Sequence, residues 1–193
     1  MDLIATLGRT LGFSFAAGVN VYATVAMLGL AQRFAWVSLP DQFQAFDSTP
    51  VIAVALVMYA VEFVADKVPL VDSAWDALHT VIRPLGGALI AVTAIGEASP
   101  PVLVLAALLG GSVAAGSHLA KAGTRAAVNV SPEPFSNWFL SLAEDGLAFG
   151  LAYLALAYPV LALGVALLLI GVAAAVGIVF ARALRRRTAA RQA

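Results

Sequence analysis

Residues 159–181 read PVLALGVALLLIGVAAAVGIVFA, twenty-three positions without a charged side chain. An apolar helix of about 20 residues spans the hydrocarbon core of a bilayer. This stretch therefore predicts a membrane span. The segment that follows it, RALRRRTAARQ (182–192), holds five arginines and suits an anchor against anionic lipid. Working outward by the same measure, further spans are expected at 10–31, 50–66, 84–99, 101–121 and 136–157. Pro50, Pro100, Pro101, Pro132, Pro134 and Pro159 punctuate the joins, because proline begins helices well and continues them badly. The segment 84–99 is short, starts at Pro84 and contains Gly86-Gly87, so a re-entrant course is an alternative to a crossing.

Composition supports a membrane setting. Of 193 residues, 62% are hydrophobic and 11% charged, with a mean hydropathy of +0.94. Soluble domains carry about 25% charged residues, enough to cover their surface. The eleven basic and eleven acidic residues sum to zero, which argues against a nucleic-acid partner, since that calls for a basic face. Cysteine is absent, which removes disulfides and thiolate chemistry. The first residues, MDLIATLGRTLGFSFAAG, lack a basic n-region and a small-residue cleavage site, as a retained first span would.

Lys and Arg collect on the cytoplasmic side of membrane proteins. Six crossings with both termini in the cytoplasm place Arg9, Lys67, Arg83, Lys121, Arg125, Arg182, Arg185, Arg186, Arg187 and Arg191 on that side, leaving only Arg33 outside. Between the second and third spans, Val71, Trp75, Leu78 and Ile82 recur at helical spacing beside a stripe of Asp72, Asp76, His79 and Arg83. A short interfacial amphipathic helix near 71–82 is expected, with Asp72, Asp76 and His79 as weak metal-ligand candidates.

The chain resembles itself. SFAAGVNVYAT (14–24) matches SVAAGSHLAKA (112–122), and Thr49-Pro50 with Glu62 matches Ser131-Pro132 with Glu144, each glutamate following its proline by twelve residues. Two three-span repeats, about 8–99 and 101–183 with a basic tail at 184–193, would then have inverted topology within one transmembrane domain (1–193). That architecture recurs in secondary transporters, with the site where the repeats meet.

Ionisable side chains inside spans are costly and mark functional sites. Glu62, Asp66, Glu144 and Asp145 are the candidate ion-coupling carboxylates. His118, Lys121 and Arg125 follow i, i+3, i+7 spacing and, with Arg83, form a candidate anion-binding vestibule. Internal ion pairing among these same groups is the structural alternative. Asn20 and Tyr22 supply a polar layer, and Asn20 corresponds to His118 in the repeat. Ser14, Gly18, Ser112 and Gly116 make small-xxx-small faces for helix packing, consistent with a homo-oligomer. The chain has no G-x-S-x-G, no H-E-x-x-H and no phosphate-binding glycine loop, so no enzyme activity and no cofactor is expected.

The strings EFVADKVP (62–69), VDSAWDALHTVIRP (71–84), GSHLAKAGTR (116–125), SPEPFSNW (131–138) and SLAED (141–145) resemble the bacterial integral membrane family known as domain of unknown function 4126. The resemblance implies a multi-pass protein of the bacterial inner membrane and brings no activity with it. EFVADK is also similar to the E-x-G-D-[KR]-[ST] signature of calcium/manganese–proton exchangers. It lacks the glycine, has one extra residue and ends in Val68, so no ligand is carried over. Together these readings favour a secondary transporter or channel-like protein for an ion or small solute. The alternatives are a binder or translocator of lipid phosphate or organic anions, and a non-transporting scaffold.

Overall fold

The computed structural model describes residues 2–128 and 135–192. Seven α-helices and one 3-10 turn follow in order: α1 Leu3–Val19, α2 Val21–Arg33, the 3-10 turn Asp41–Asp47, α3 Thr49–Ala65, α4 Pro69–Ile95, α5 Pro100–Val128, α6 Phe135–Ala157 and α7 Pro159–Gln192. No strand occurs among the described residues. Ser131, Pro132 and the rest of SPEP lie outside the described residues.

Among the described residues, four helices are long and apolar enough to cross a membrane: the segments Leu70–Ile95, Pro100–Val128, Phe135–Ala157 and Pro159–Val179. The 3-10 turn and α3, bent by 64°, make a fifth if taken as one span. Leucines and valines such as Val57, Leu89, Leu105 and Leu168 stand exposed on outer faces, as side chains that meet lipid do.

The expected first span, 10–31, is two helices. Asn20 adopts an extended conformation (φ −152°, ψ 100°). Its N–H donates to the Ala16 carbonyl at 2.8 Å and closes α1. Its Oδ1 accepts from the Ala23 N–H at 2.9 Å and caps α2. One residue thus ends one helix and begins the next.

The contacts fix what happens at that break. Glu62 and Glu144 both approach Lys121, at 3.3 and 3.7 Å. Tyr59, one turn before Glu62, packs on Phe149, more than one turn after Glu144 (ring centroids 5.2 Å apart). Thus α3 and α6 are antiparallel, and α3 starts at the end of the bundle remote from these carboxylates. Arg33, which closes α2, pairs with Asp47 and Thr49 at that remote end, at 2.8 and 3.1 Å. Phe43 of the 3-10 turn packs on Phe13, halfway along α1. Helix α2 therefore turns back at Asn20, and α1 and α2 form a V whose vertex points into the charged end.

Two expectations fall with this. Ser14 lies beside Gly110 and Gly18 beside Ala114, so α1 and α5 run in the same direction, where an inverted repeat requires opposite ones. α1 begins next to Pro159 at the remote end, whereas α7 ends beside the last turns of α5. The start of α1 and the stretch of α7 around Ala181 thus lie at opposite ends of the bundle, where the expectation puts both termini on one side.

A third correction concerns residues 71–82. They are no separate interfacial helix but the first half of the 27-residue α4, which continues through Pro84. Asp72, Asp76, His79 and Arg83 are buried, while Val71 and Leu78 are exposed. The stripe is real, but its polar side faces inward. A helix among helices in lipid satisfies its charges against protein.

Helix α1 is the hub, touching α4, α5, α6 and α7. Glycines bring the backbones together: a Cβ on Gly18 would overlap Ser117 Oγ and the Ala114 carbonyl, and Gly87 and Gly110 face each other across α4 and α5. Ser14 donates to the Gly87 carbonyl at 3.3 Å within the same contact.

Candidate functional site: a buried ion-pair network

The charged residues of five segments converge at one end of the bundle. α3 ends there with Glu62 and Asp66, and α4 begins there with Asp72, Asp76, His79 and Arg83. α5 brings His118, Lys121 and Arg125, α6 brings Asn137, Ser141, Glu144 and Asp145, and the V contributes its vertex. On α3 and α4 the four-residue recurrence of acids sets them on one helical face.

Three cations organise the set. Arg83 binds Glu62 Oε1 at 2.8 Å and Asp76 Oδ1 at 3.3 Å. Arg125 binds Glu144 Oε2 at 2.5 Å and Asp66 Oδ2 at 3.0 Å, with Asp72 at 3.7 Å. It also donates to Asn137 Oδ1 at 2.8 Å and to the Asp66 carbonyl at 2.7 Å. Lys121 lies between them, 3.1 Å from Asp66 Oδ2, 3.3 Å from Glu62 Oε1 and 3.7 Å from Glu144 Oε2. The lysine thus stands between the two repeat-matched glutamates. All three cations are 5% exposed or less.

The vertex joins this network through its helix ends. The C-terminus of α1, where the helix dipole is negative, offers the Gly18 carbonyl to Arg83 and the Val19 carbonyl to Lys121, each at 3.4 Å. At the positive N-terminus of α2, Asn20 Nδ2 donates to Asp145 Oδ1 at 3.2 Å. Cations meet one broken end and a carboxylate meets the other.

Hydrogen bonding fixes one histidine. Arg83 Nη1 lies 2.7 Å from His118 Nδ1, and because a guanidinium only donates, that nitrogen accepts. His118 Nε2 then donates to Thr80 Oγ1 at 3.1 Å, whose hydroxyl donates to the Asp76 carbonyl at 3.0 Å. His118 is therefore neutral. His79 Nδ1 donates to the Trp75 carbonyl at 2.7 Å, and its Nε2 meets the Tyr22 hydroxyl at 3.0 Å. That second contact serves either protonation state.

Among the described residues, the buried groups counted as ionised do not cancel. Glu62, Asp66, Asp72, Asp76, Glu144 and Asp145 are six buried carboxylates, against buried Arg83, Lys121 and Arg125 and half-buried Lys67. Lys67, in the link between α3 and α4, lies over the Phe63 ring and donates to the Phe63 carbonyl (2.8 Å) and Ser141 (3.4 Å). Burial draws its ammonium below the ordinary lysine pKa, against the pull of Asp145 and Asp66. Even with Lys67 charged and His79 protonated, one carboxylate is uncompensated; with His79 neutral, two are. The acids also hold surplus acceptors, since Glu62 Oε2, Asp66 Oδ1 and Asp145 Oδ2 are buried without a hydrogen-bond donor.

The bundle thus brings together Glu62, Asp66, Glu144, Asp145, Arg83, His118, Lys121, Arg125, Asn20 and Tyr22. Arg83, His118, Lys121 and Arg125 line no open vestibule, because they are buried and the three cations already engage carboxylates. Asp72, Asp76 and His79 share no ion: their side chains address Arg125, Arg83 and Tyr22 respectively. Among the described residues no group of three or more His, Asp and Glu side chains is arranged to hold a metal. Ser14 and Gly18 pack within the chain, against α4 and α5. Ser112 and Gly116 face outward, and a Cβ on Gly116 would meet open space. Both line an apolar groove of about 920 Å³ between α5 and α7. Sequence reasoning missed Asn137, Lys67, Thr80 and Ser141, of which Asn137 and Ser141, one turn apart on the helix carrying Glu144 and Asp145, gave a periodic signal.

No curated protein and no solved structure matches the chain. A family model does, over residues 7–178. With most of its length covered, including every residue of the buried network, the chain belongs to the family described as Domain of unknown function (DUF4126).

Proposed function

We propose that this protein is a secondary transporter rather than an enzyme, moving a cation across the membrane in exchange for protons through the buried network. The charge imbalance carries this reading. A set built only to lock helices together has no use for surplus carboxylates, because an unpaired buried charge costs several kcal/mol. The missing positive charge is a proton or a bound cation, and a site that exchanges one for the other is a coupling site. The V supports the same reading, since broken helices that present their ends to charged groups are a feature of transporter sites.

The density of ion pairs around Arg83 and Arg125 favours a second reading, a structural lock that holds α3, α4, α5 and α6. Both readings place Arg83 and Arg125 as fixed partners; only the first assigns a role to the excess acids. An anion or lipid-phosphate site is less well supported, because the cations already have carboxylate partners. We place the protein in a bacterial inner membrane with the network end toward the cytoplasm. Lys67 and the arginines of the α7 tail belong to that end, against Arg9 and Arg33 at the other. Homo-oligomers would form through the α5–α7 groove.

Purified protein in liposomes loaded with a pH-sensitive dye tests this. Pulses of external Na⁺ or K⁺ should drive protons out, and Glu62→Gln should abolish the signal. Indistinguishable traces from protein-containing and empty liposomes for Na⁺, K⁺ and H⁺ would end the proposal.

A further inference from the structure

The α5–α7 groove of about 920 Å³ has Phe15 of α1 at its floor and residues between Ser112 and Ala127 of α5 and between Ile170 and Ala181 of α7 as its walls. Three glycines line it, Gly116, Gly123 and Gly177, and a Cβ on any of them would meet open space. They differ from Gly18, Gly87 and Gly110, which bring two backbones into contact. Missing side chains here keep a furrow open instead of closing a helix pair. At 1.5 Å per residue the α5 wall is about 22 Å long, inside a segment that is itself a candidate span. That length takes a lipid chain from the network-end surface to the middle of a hydrocarbon core about 30 Å thick.

The groove has an apolar body and a basic end. Two of its hydroxyls are engaged within the protein: Ser117 donates to the Phe15 carbonyl at 3.0 Å and Thr124 to the Ala120 carbonyl at 2.9 Å. At the network end the wall residue Ala181 is followed by exposed Arg182, and α7 continues as helix to Gln192. Arg185 stands four residues beyond Ala181, one turn further along the same helix face. Five arginines follow Ala181, and no acidic residue follows Asp145 in α6 or α7. We propose that the groove binds an anionic phospholipid, with one acyl chain laid between α5 and α7 and its phosphate at the arginines that begin with Arg182. The inference goes beyond the transport reading and does not depend on it.

Charge selects this occupant over a second copy seated directly in the groove. A two-fold pair presents the same patch from both copies, which would set α7 near α7 and one run of arginines near the other. Like charges repel, whereas an anionic headgroup meets either run with the opposite sign. Copies that meet over the groove therefore meet through the lipid. A zwitterionic lipid fills the apolar body equally well and leaves the arginines uncompensated, so the headgroup carries the selectivity. Basic sites between helices at the cytoplasmic surface bind anionic headgroups by the same physics.

The probes are dioleoyl phosphatidylglycerol and dioleoyl phosphatidylcholine, added to lipid-stripped protein in detergent and read by native mass spectrometry. Phosphatidylglycerol should bind one per chain and about tenfold more tightly than phosphatidylcholine, as arginines near the surface allow. That preference should shrink as salt rises. Gly116→Leu puts a side chain into the groove and should abolish the bound lipid while leaving the lipid-free thermal stability unchanged. Gly177→Leu, from the facing wall, should do the same. Leu168→Phe, on an exposed position outside the groove, should bind as the wild type does. The double variant Arg182→Gln and Arg185→Gln should keep the chain site and bring phosphatidylglycerol down to the affinity of phosphatidylcholine. Equal affinity for the two lipids in the wild type, or wild-type binding in both glycine variants, would mean ordinary surrounding lipid and overturn the site. A dimer that assembles without lipid, excludes phosphatidylglycerol and is broken by Gly116→Leu would put a second copy in the groove instead.

Discussion

The segments SFAAGVN at the end of α1 and SVAAGSH in α5 share a motif and a direction in the bundle, yet they do opposite things. In α1 the serine and glycine are buried against α4 and α5, and the helix breaks two residues after Gly18. In α5 the same two positions face outward, and the helix runs on unbroken to Val128. Position in the bundle explains the contrast. α1 is enclosed by four helices, so small residues on it become contacts, whereas α5 packs with one face and presents the other to its surroundings. The residue two places after the glycine differs too: Asn20 can cap a new helix, whereas His118 is held as an acceptor by Arg83.

The sharpest way to break this comparison is to enlarge both glycines. Gly18→Leu should abolish folded protein on size-exclusion chromatography, because the new side chain would occupy the space of Ser117 and the Ala114 carbonyl. Gly116→Leu should leave the monomer fold intact and weaken any oligomer formed through the α5–α7 groove. Equal effects would mean that the two sites are equivalent after all.

Next in size is Arg83→Met, which strands Asp76, leaves Glu62 to Lys121 alone and removes the donor to His118. Breaking a buried pair in this way costs about 3–5 kcal/mol, to be seen as a large drop in thermal stability. Asn20→Leu should follow, losing about 1 kcal/mol with the cap and about 1.5–3 kcal/mol with its hydrogen bond to the Asp145 carboxylate. A His118→Leu variant keeps α5 continuous, so its infrared amide signature should be unchanged where that of Asn20→Leu shifts. Ser112→Val should be the smallest, within about 0.5 kcal/mol of wild type, as substitutions away from such features are.

The same contrast shows what could be read from residues alone. Helical spacing set His118, Lys121 and Arg125 on one stripe and Glu62 with Asp66 on another, and those stripes do meet. The V was illegible because a hydropathy window averages Asn20 into the apolar run around it, and one extended residue reverses the chain without changing its composition. The stripe of Asp72, Asp76, His79 and Arg83 was legible as a stripe but not in direction. Periodicity gives two faces without saying which is inside, and in lipid the polar face turns inward where in water it turns out. Ser112 and Gly116 matched Ser14 and Gly18 as letters, but packing depends on neighbours that no motif contains.

The central claim is that the buried network carries more carboxylates than fixed cations and makes up the difference with an exchangeable proton or cation. Infrared difference spectroscopy on membrane-reconstituted protein reads this directly, since protonated and ionised carboxyl groups absorb separately. On adding K⁺ or Na⁺, or on raising the pH, the account predicts loss of a protonated-carboxyl signal from the interior, altered by Glu62→Gln. A spectrum with no protonated carboxyl and no response to either cation or pH would show a fully compensated network, and the protein would then be held together, not driven, by its buried charges.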